Sequence, residues 1–363
     1  MIHLLLALAF SHSAHAFPQL TRHNYFNCTA CHVSPSGGGD LTQYGHSLSA
    51  ELLSMKGGEK ESKAVWGLVP DSEVITPSGY LRVLQLYTNN EKVTETKAIL
   101  MQADLGAAVR VGSFTAVGNV GRRRVAPTGA PTEHEIFSRT HYLMYSADMG
   151  VNVRAGKFMP AYGLNHPNHY LLVRRDTGLY NDTERYNAEA SYLGDGFSVL
   201  GTAIFGPGGD HHSNSKESGG TGSVNKSLSE SSRIGASFYR GDSSTLHRTL
   251  GGVYGIISYT PTLYSQIEID HQNLTSGPKS SKGFVGSHQL TWEVTKGVNP
   301  YLQMEWENLD DVSSQNSLLT YGVGMNFYPR PHFELTGYLG YEVPKSVLVP
   351  TTFEAYVTLN VYL

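Results

Sequence analysis

The C-terminal stretch "FEAYVTLNVYL", Phe353 to Leu363, decides the fold. It sets Phe353, Ala355, Val357, Leu359, Val361 and Leu363 on one face and Glu354, Tyr356, Thr358, Asn360 and Tyr362 on the other. Successive side chains of a strand point to opposite sides, so unbroken alternation over this length is a β-strand with one apolar and one polar face. The pattern recurs upstream. "LYSQIEID" opposes Leu263, Ile267 and Ile269 to Tyr264, Gln266, Glu268 and Asp270. "YLQMEWEN" separates Leu302, Met304 and Trp306 from Tyr301, Gln303, Glu305 and Glu307. In "PHFELTGYLGY", Phe333, Leu335, Leu339 and Tyr341 oppose His332, Glu334, Thr336 and Tyr338. A soluble sandwich also alternates, but its strands run to about five or six residues. These run to about ten or more, the length a tilted strand needs to cross a bilayer. Their polar faces then line an aqueous lumen and their apolar faces meet lipid.

Composition agrees with a barrel. The 363 residues include 22 tyrosines and 39 glycines, and only 16% are charged. A mean hydropathy of -0.26 excludes a bundle of membrane helices, and beyond the N-terminus no apolar run approaches twenty residues. A net charge of -4 gives no support to nucleic-acid binding. The expected fold is therefore all-β, a transmembrane antiparallel β-barrel of 14 to 16 strands, with sixteen the best count and even numbers favoured. Strands are expected to begin near Ser78, Lys97, Gly112, Glu135, Gly150, Tyr170, Glu184, Gly196, Ser231, Leu250, Leu263, Gly283, Val298, Ser317, His332 and Thr352. The one near Tyr170 has a rival reading as a long loop folded into the lumen. Gly206 to Glu230 has the Gly, Ser and Asn content of an extracellular loop, whereas "YTPTL" and "YPRPH" read as tight periplasmic turns.

The N-terminus is of a different kind. "LLLALAF", Leu4 to Phe10, is too short to span a bilayer, and Ala14-His15-Ala16 supplies the small residues of a cleavage site. Residues 1–16 therefore read as an export signal. The chain's only cysteines follow, in "FNCTACHVSPSGGGD", Phe26 to Asp40. Three chemistries use a C-x-x-C spacing. A thioredoxin-type thiol pair needs a helix behind it, and Ser34, Pro35, Ser36 and three glycines stand there instead. A structural zinc site needs a second ligand pair, and no third cysteine exists. Covalent haem uses all three special residues: thioethers to Cys28 and Cys31, and iron coordination by His32. Export fits this, because c-type haem is attached outside the bacterial cytoplasm. An incidental histidine beside a plain cysteine pair is the bland alternative.

The resulting organisation is a signal at 1–16, a c-type haem-binding segment at 17–58, a linker at 59–76 and the barrel at 77–363. A segment of about forty residues is below the size that usually folds alone, so it is expected to lean on the barrel lumen. The second axial ligand stays open on sequence. His46 is the first choice, with His23, Met55, a lumen-facing residue or no protein ligand as alternatives. Gly37 to Gly39 either bring backbone close to a porphyrin edge or make a plain turn.

The remaining polar residues have modest readings. His166 and His169, with Arg174 and Arg175, read first as a surface loop and second as lumen contacts to an anion or a haem propionate. His211 and His212 read as a solvated pair. Glu268, Asp270, Glu293, Glu305, Glu307 and Glu334 suit an acidic lumen wall, and Arg122, Arg123 and Arg124 a basic strand end.

An N-terminal "NCTACHVSPSGGGDLTQYG" followed by "KFMPAYGL" and "GMNFYPRPHFELTGYLGY" resembles the outer-membrane fused monohaem cytochrome c-porins, a grouping that includes outer-membrane iron oxidases. Only Cys28, Cys31 and His32 carry over as functional residues. The resemblance implies one covalently attached haem c, held in the lumen or on the periplasmic side of a bacterial outer-membrane barrel. It would pass electrons between a periplasmic carrier and an extracellular partner, with ferrous iron as one donor. Two rivals accompany this reading: a transport barrel merely plugged by the haem segment, and a haem enzyme with an open axial site.

Overall fold

The computed structural model describes residues 18–125, 133–166, 168, 170–180, 183–207, 216–310, 317–346 and 349–363. The expected signal, His169, His211 and His212 lie outside them. No described helix is long and apolar enough to cross a membrane. The strands are β1 (Ile75–Asn89), β2 (Thr94–Val111), β3 (Phe114–Val125), β4 (Glu133–Phe137), β5 (His141–Ser146), β6 (Val151–Phe158), β7 (Arg185–Gly194), β8 (Phe197–Pro207) and β9 (Ser218–Ser229), followed by β10 (Ser232–Asp242), β11 (Leu246–Ser258), β12 (Leu263–Ser276), β13 (Lys279–Trp292), β14 (Val298–Asp310), β15 (Leu318–Phe327), β16 (Phe333–Pro344) and β17 (Thr352–Tyr362). Neighbours pair antiparallel, and β1 pairs with both β2 and β17, so the sheet closes on itself.

The lower half of β3 pairs with β5 and its upper half with β4. These two segments are one stave, broken at Ser138–Thr140, and the ring is therefore a sixteen-stave barrel. The break has a local cause. Arg139 turns inward to Asp104, 3.0 Å away, while Asn119 accepts the Thr140 amide and Lys157 donates to the Ser138 carbonyl.

Alternation sorts the two faces as expected. Tyr356, Thr358 and Tyr362 are buried inside, and Val357 on the same strand is half exposed outside. On β12 the buried Gln266, Glu268, Asp270 and Gln272 point inward. Leu105, Val111, Leu143, Leu302 and Leu339 are each more than half exposed on the outer surface, an apolar belt of the kind that lipid covers.

Two strand expectations need correction. The described residues near Tyr170 form no strand: those between Met159 and Glu184 form a long loop inside the barrel, with a short helix α1 (Leu172–Arg175). Its apolar run belongs to an internal cluster in which Leu171, Leu172 and Val173 meet Val285. Conversely, Gly206 to Glu230 is not one loop, because β9 occupies Ser218–Ser229. One surplus strand and one missed strand leave the count at sixteen.

The short turns lie at the end that holds the C-terminus, which is the periplasmic end in barrels of this kind. The inner loop is fastened to the far wall by the carboxylates noted in the sequence. Glu268 accepts the Leu164 amide at 2.9 Å, Tyr162 donates to Asp270 at 2.8 Å, and Glu305 accepts the Leu172 amide. Gly163 sits between them at φ +60°, and a Cβ there would fall on a Glu268 carboxylate oxygen. Gly163→Ala is expected to cost about 1–2 kcal/mol from the left-handed backbone alone, before Glu268 is displaced. Thermal melting together with proteolysis of the loop checks this, and an unchanged melting temperature would contradict it.

Candidate functional site

Residues 18–58 fold into a plug at the periplasmic mouth. A 3₁₀ turn (Pro18–His23), the Cys28–Ala30 turn and a short helix (Gln43–Leu48) are followed by a π turn (Ser49–Leu53). The plug is tied to the wall around its rim. Arg22 pairs with Glu293 and donates to the Pro261 carbonyl; Asn27 donates to the Gly194 carbonyl, and Arg233 to that of Phe26. Ser49 and Tyr362 share a 2.8 Å hydroxyl contact, and the Met55 amide donates to the Tyr328 carbonyl.

The C-x-x-C-H turn is shaped by its own backbone. The amides of Cys31 and His32 both donate to the Cys28 carbonyl, at 3.2 and 2.9 Å. The chain returns through a bridge between His32 and Leu41, and the Val33 amide donates to the Asp40 carbonyl. Gly37, Gly38 and Gly39 close the excursion with φ of +76°, +69° and +63°, a region L side chains avoid. A Cβ on Gly37 would lie 3.2 Å from the Cys28 Sγ, so the bare backbone is what lets the loop pass the sulfur.

Above the plug and below the inner loop lies a cavity with about 310 Å³ of room for the centres of water molecules, within the range of small-molecule and cofactor sites. Cys28, His32 and the 34–41 loop form its floor, Phe158 to Gly163 and Asn165 part of its roof, and Arg154, Tyr142 and Arg139 part of its wall. Arg154 joins floor to wall. It pairs with Glu189 at 2.8 Å and donates to the hydroxyls of Ser34 at 2.9 Å and Ser36 at 3.0 Å. Asn165 adds a contact from the roof to the Ser36 carbonyl.

The four residues selected from sequence are placed differently from one another. Cys28 and His32 line the cavity. His32 Nδ1 faces the Gly39 carbonyl at 3.3 Å, and because a carbonyl oxygen only accepts, Nδ1 carries the proton in this contact. Cys31 is 1% exposed and packs with Leu48, Tyr25 and Leu52 beneath the floor. The cysteines are not disulfide-bonded. Burial, and secondarily Cys28, push the Cys31 thiol up to about 12, the reverse of what a redox-active or thiolate-donating pair requires.

His46 is buried but does not line the cavity. Its ring lies 5.6 Å from that of His332, and neither nitrogen has a hydrogen-bond partner among the described residues. Burial, then His332 and His32, lower it to about 4, so it is neutral at physiological pH. His23 and Met55 also lie off the cavity. No cluster of three or more His, Cys, Asp or Glu is placed to hold a bare metal ion among the described residues.

The surface-loop reading of the 166–175 segment is overturned, since His166 and Arg174 line the cavity while Arg175 turns to Asp176. The acidic residues of the lumen also serve differently from a cation-attracting wall. Glu293 holds the plug through Arg22, Glu334 accepts from Tyr328 and Asn360, and Glu268, Asp270 and Glu305 fasten the inner loop. Sequence reasoning missed Arg154, Arg139 and Met159. Arg154 sits at an inward position of the alternating "VNVRAGKF", the one signal that could have exposed it.

No known family's sequence profile matches the chain, and no characterised protein matches it in sequence. Solved structures do. The barrel is similar to a loop-deleted OmpT, an outer membrane protein of Vibrio cholerae, with a TM-score of 0.65 at 13% identity over 81% of this chain and 100% of that one. It is similar to the outer membrane channel DcaP of Acinetobacter baumannii (TM-score 0.57, 10% identity, 80% and 97% covered). The anion-selective porin from Comamonas acidovorans gives a TM-score of 0.55 at 13% identity, covering 80% and 99%. This is an outer-membrane porin fold.

Proposed function

We propose that the chain is an outer-membrane electron-transfer protein carrying one c-type haem in the cavity between plug and inner loop. The observation that carries the reading is that Cys28 and His32 line one cavity whose floor is the plug and whose wall and roof are the barrel. The residues fit the group. Cys28 and His32 line the space, Cys31 lies immediately beneath it, and Gly37 carries bare backbone past the Cys28 sulfur. Cys28 and Cys31 would hold the haem by thioethers, and His32 would coordinate its iron. Bound there, it supplies a one-electron centre. The protein's part is positional: Arg154 fixes the floor to the wall, and the apolar cluster of Phe158, Tyr142 and Met144, joined by Val33, keeps one side of the cavity dry.

The apolar part of such a barrel is only about 25 Å tall. A centre seated between plug and inner loop therefore lies within one barrel height of partners on both sides, ferrous iron being the donor that the sequence resemblance implies.

The test uses holoprotein in sealed vesicles with an enclosed acceptor and dithionite outside. Reduction of both the haem band and the acceptor supports a conduit. Reduction of the haem alone sinks it and brings forward the plugged-porin reading, which the five cavity-lining arginines, Arg82, Arg139, Arg154, Arg174 and Arg233, and the likeness to an anion-selective porin favour.

A further inference from the structure

A porphyrin carried on the Cys28 side with His32 against one face needs its second ligand from across the cavity. The helix bearing His46 is on the wrong side for this. It packs against the back of the cysteine turn: the Thr42 amide donates to the Cys31 carbonyl at 2.8 Å, the Thr42 hydroxyl to that of Ala30 at 2.6 Å, and a Cβ on Gly45 would collide with the Cys31 backbone. His46 itself faces His332 at the barrel rim.

Among the described residues that line the cavity, the imidazoles and thioethers are His32, His166 and Met159. His166 is committed elsewhere, since its Nδ1 accepts the Asn168 amide at 3.1 Å and its ring also hydrogen-bonds Gln289. The sulfur of Met159 has a 3.8 Å contact from the Thr183 hydroxyl, a weak interaction that a thioether gives up readily. Met159 also adjoins a segment that is tied to the floor. It follows Phe158, which shares an apolar cluster with Val33, the residue after His32, and Arg154 on the same strand grips Ser34 and Ser36.

We infer that Met159, supplied by the barrel's inner loop and not by the plug, is the second axial ligand of the haem. This rests on the haem reading above. The site would then be completed only when plug and barrel meet, and thioether ligation would give it a higher potential than two histidines.

The test compares purified wild-type holoprotein with Met159→Ala, Met159→His and His46→Ala, by absorption spectra and redox titration. The wild-type ferric protein should show the weak sulfur-to-iron charge-transfer band at the red end of the spectrum. Both Met159 variants should lose it, Met159→His should titrate at a lower potential, Met159→Ala should bind carbon monoxide when reduced, and His46→Ala should match wild type. A band and potential unchanged in both Met159 variants, or lost in His46→Ala instead, overturns the assignment, as does a haem-loaded wild type with no such band. A wild type without covalent haem fails at the earlier step and overturns the proposed function with it.

Discussion

Replacing Cys28 and Cys31 together with alanine is expected to abolish covalently held haem while leaving a folded barrel. The two parts of the expectation have different origins. Covalent attachment depends on sulfur alone, and these are the only two sulfhydryls in the chain. The barrel depends on its sixteen staves and their register, to which neither residue contributes. Cys31 does fill space beside Leu48 and Tyr25, so its truncation should loosen the plug locally. Haem staining of the denatured polypeptide, read beside the heat-dependent mobility of the barrel, separates the two effects. Stain retained by the double variant would falsify covalent attachment at this site.

The second large effect is expected at Arg154. Its guanidinium is almost wholly enclosed, and so is the Glu189 carboxylate that it neutralises. Removing one member of a buried pair leaves an uncompensated charge and costs roughly 3–5 kcal/mol. The Thr202 hydroxyl would remain as a donor to Glu189, at 2.9 Å. Arg154→Leu should therefore lower the melting temperature and free the 34–39 loop, broadening the haem spectrum. Adding Glu189→Leu should restore most of the stability, since no charge is then stranded, but not the position of the loop. If the single variant melts like wild type, the clamp between floor and wall has been misread.

Much of the barrel was legible because lipid imposes a simple rule on alternate residues. The rule breaks where lipid is not the neighbour. Leu171 to Val173 look like a lipid-facing run, yet they are apolar because they pack inside the lumen against Val285. The strand "SGGTGSVNKSLS" fails in the opposite sense. Its inward Thr221 and Ser223 are small and its outward positions include Gly220 and Gly222, so it carries almost no hydropathy contrast. At the site, Cys28, Cys31 and His32 announce themselves by spacing. Arg154 and Met159 do not, since each is an ordinary residue made special by a chain segment more than a hundred positions away or by an inner loop whose path local sequence leaves open.

The contact between Ser49 and Tyr362 joins the plug to the penultimate residue of the chain, and Tyr362 is also the residue that faces Tyr80 across the seam where the first and last strands meet. The N-terminal segment thus cannot acquire its full set of anchors until the final strand is in place. Biogenesis of this protein has a built-in order: closing the sheet and completing the plug's anchors both await β17, and loss of Tyr362 would remove the Ser49 contact while the β1–β17 pairs from Leu81–Val361 to Asn89–Phe353 remain.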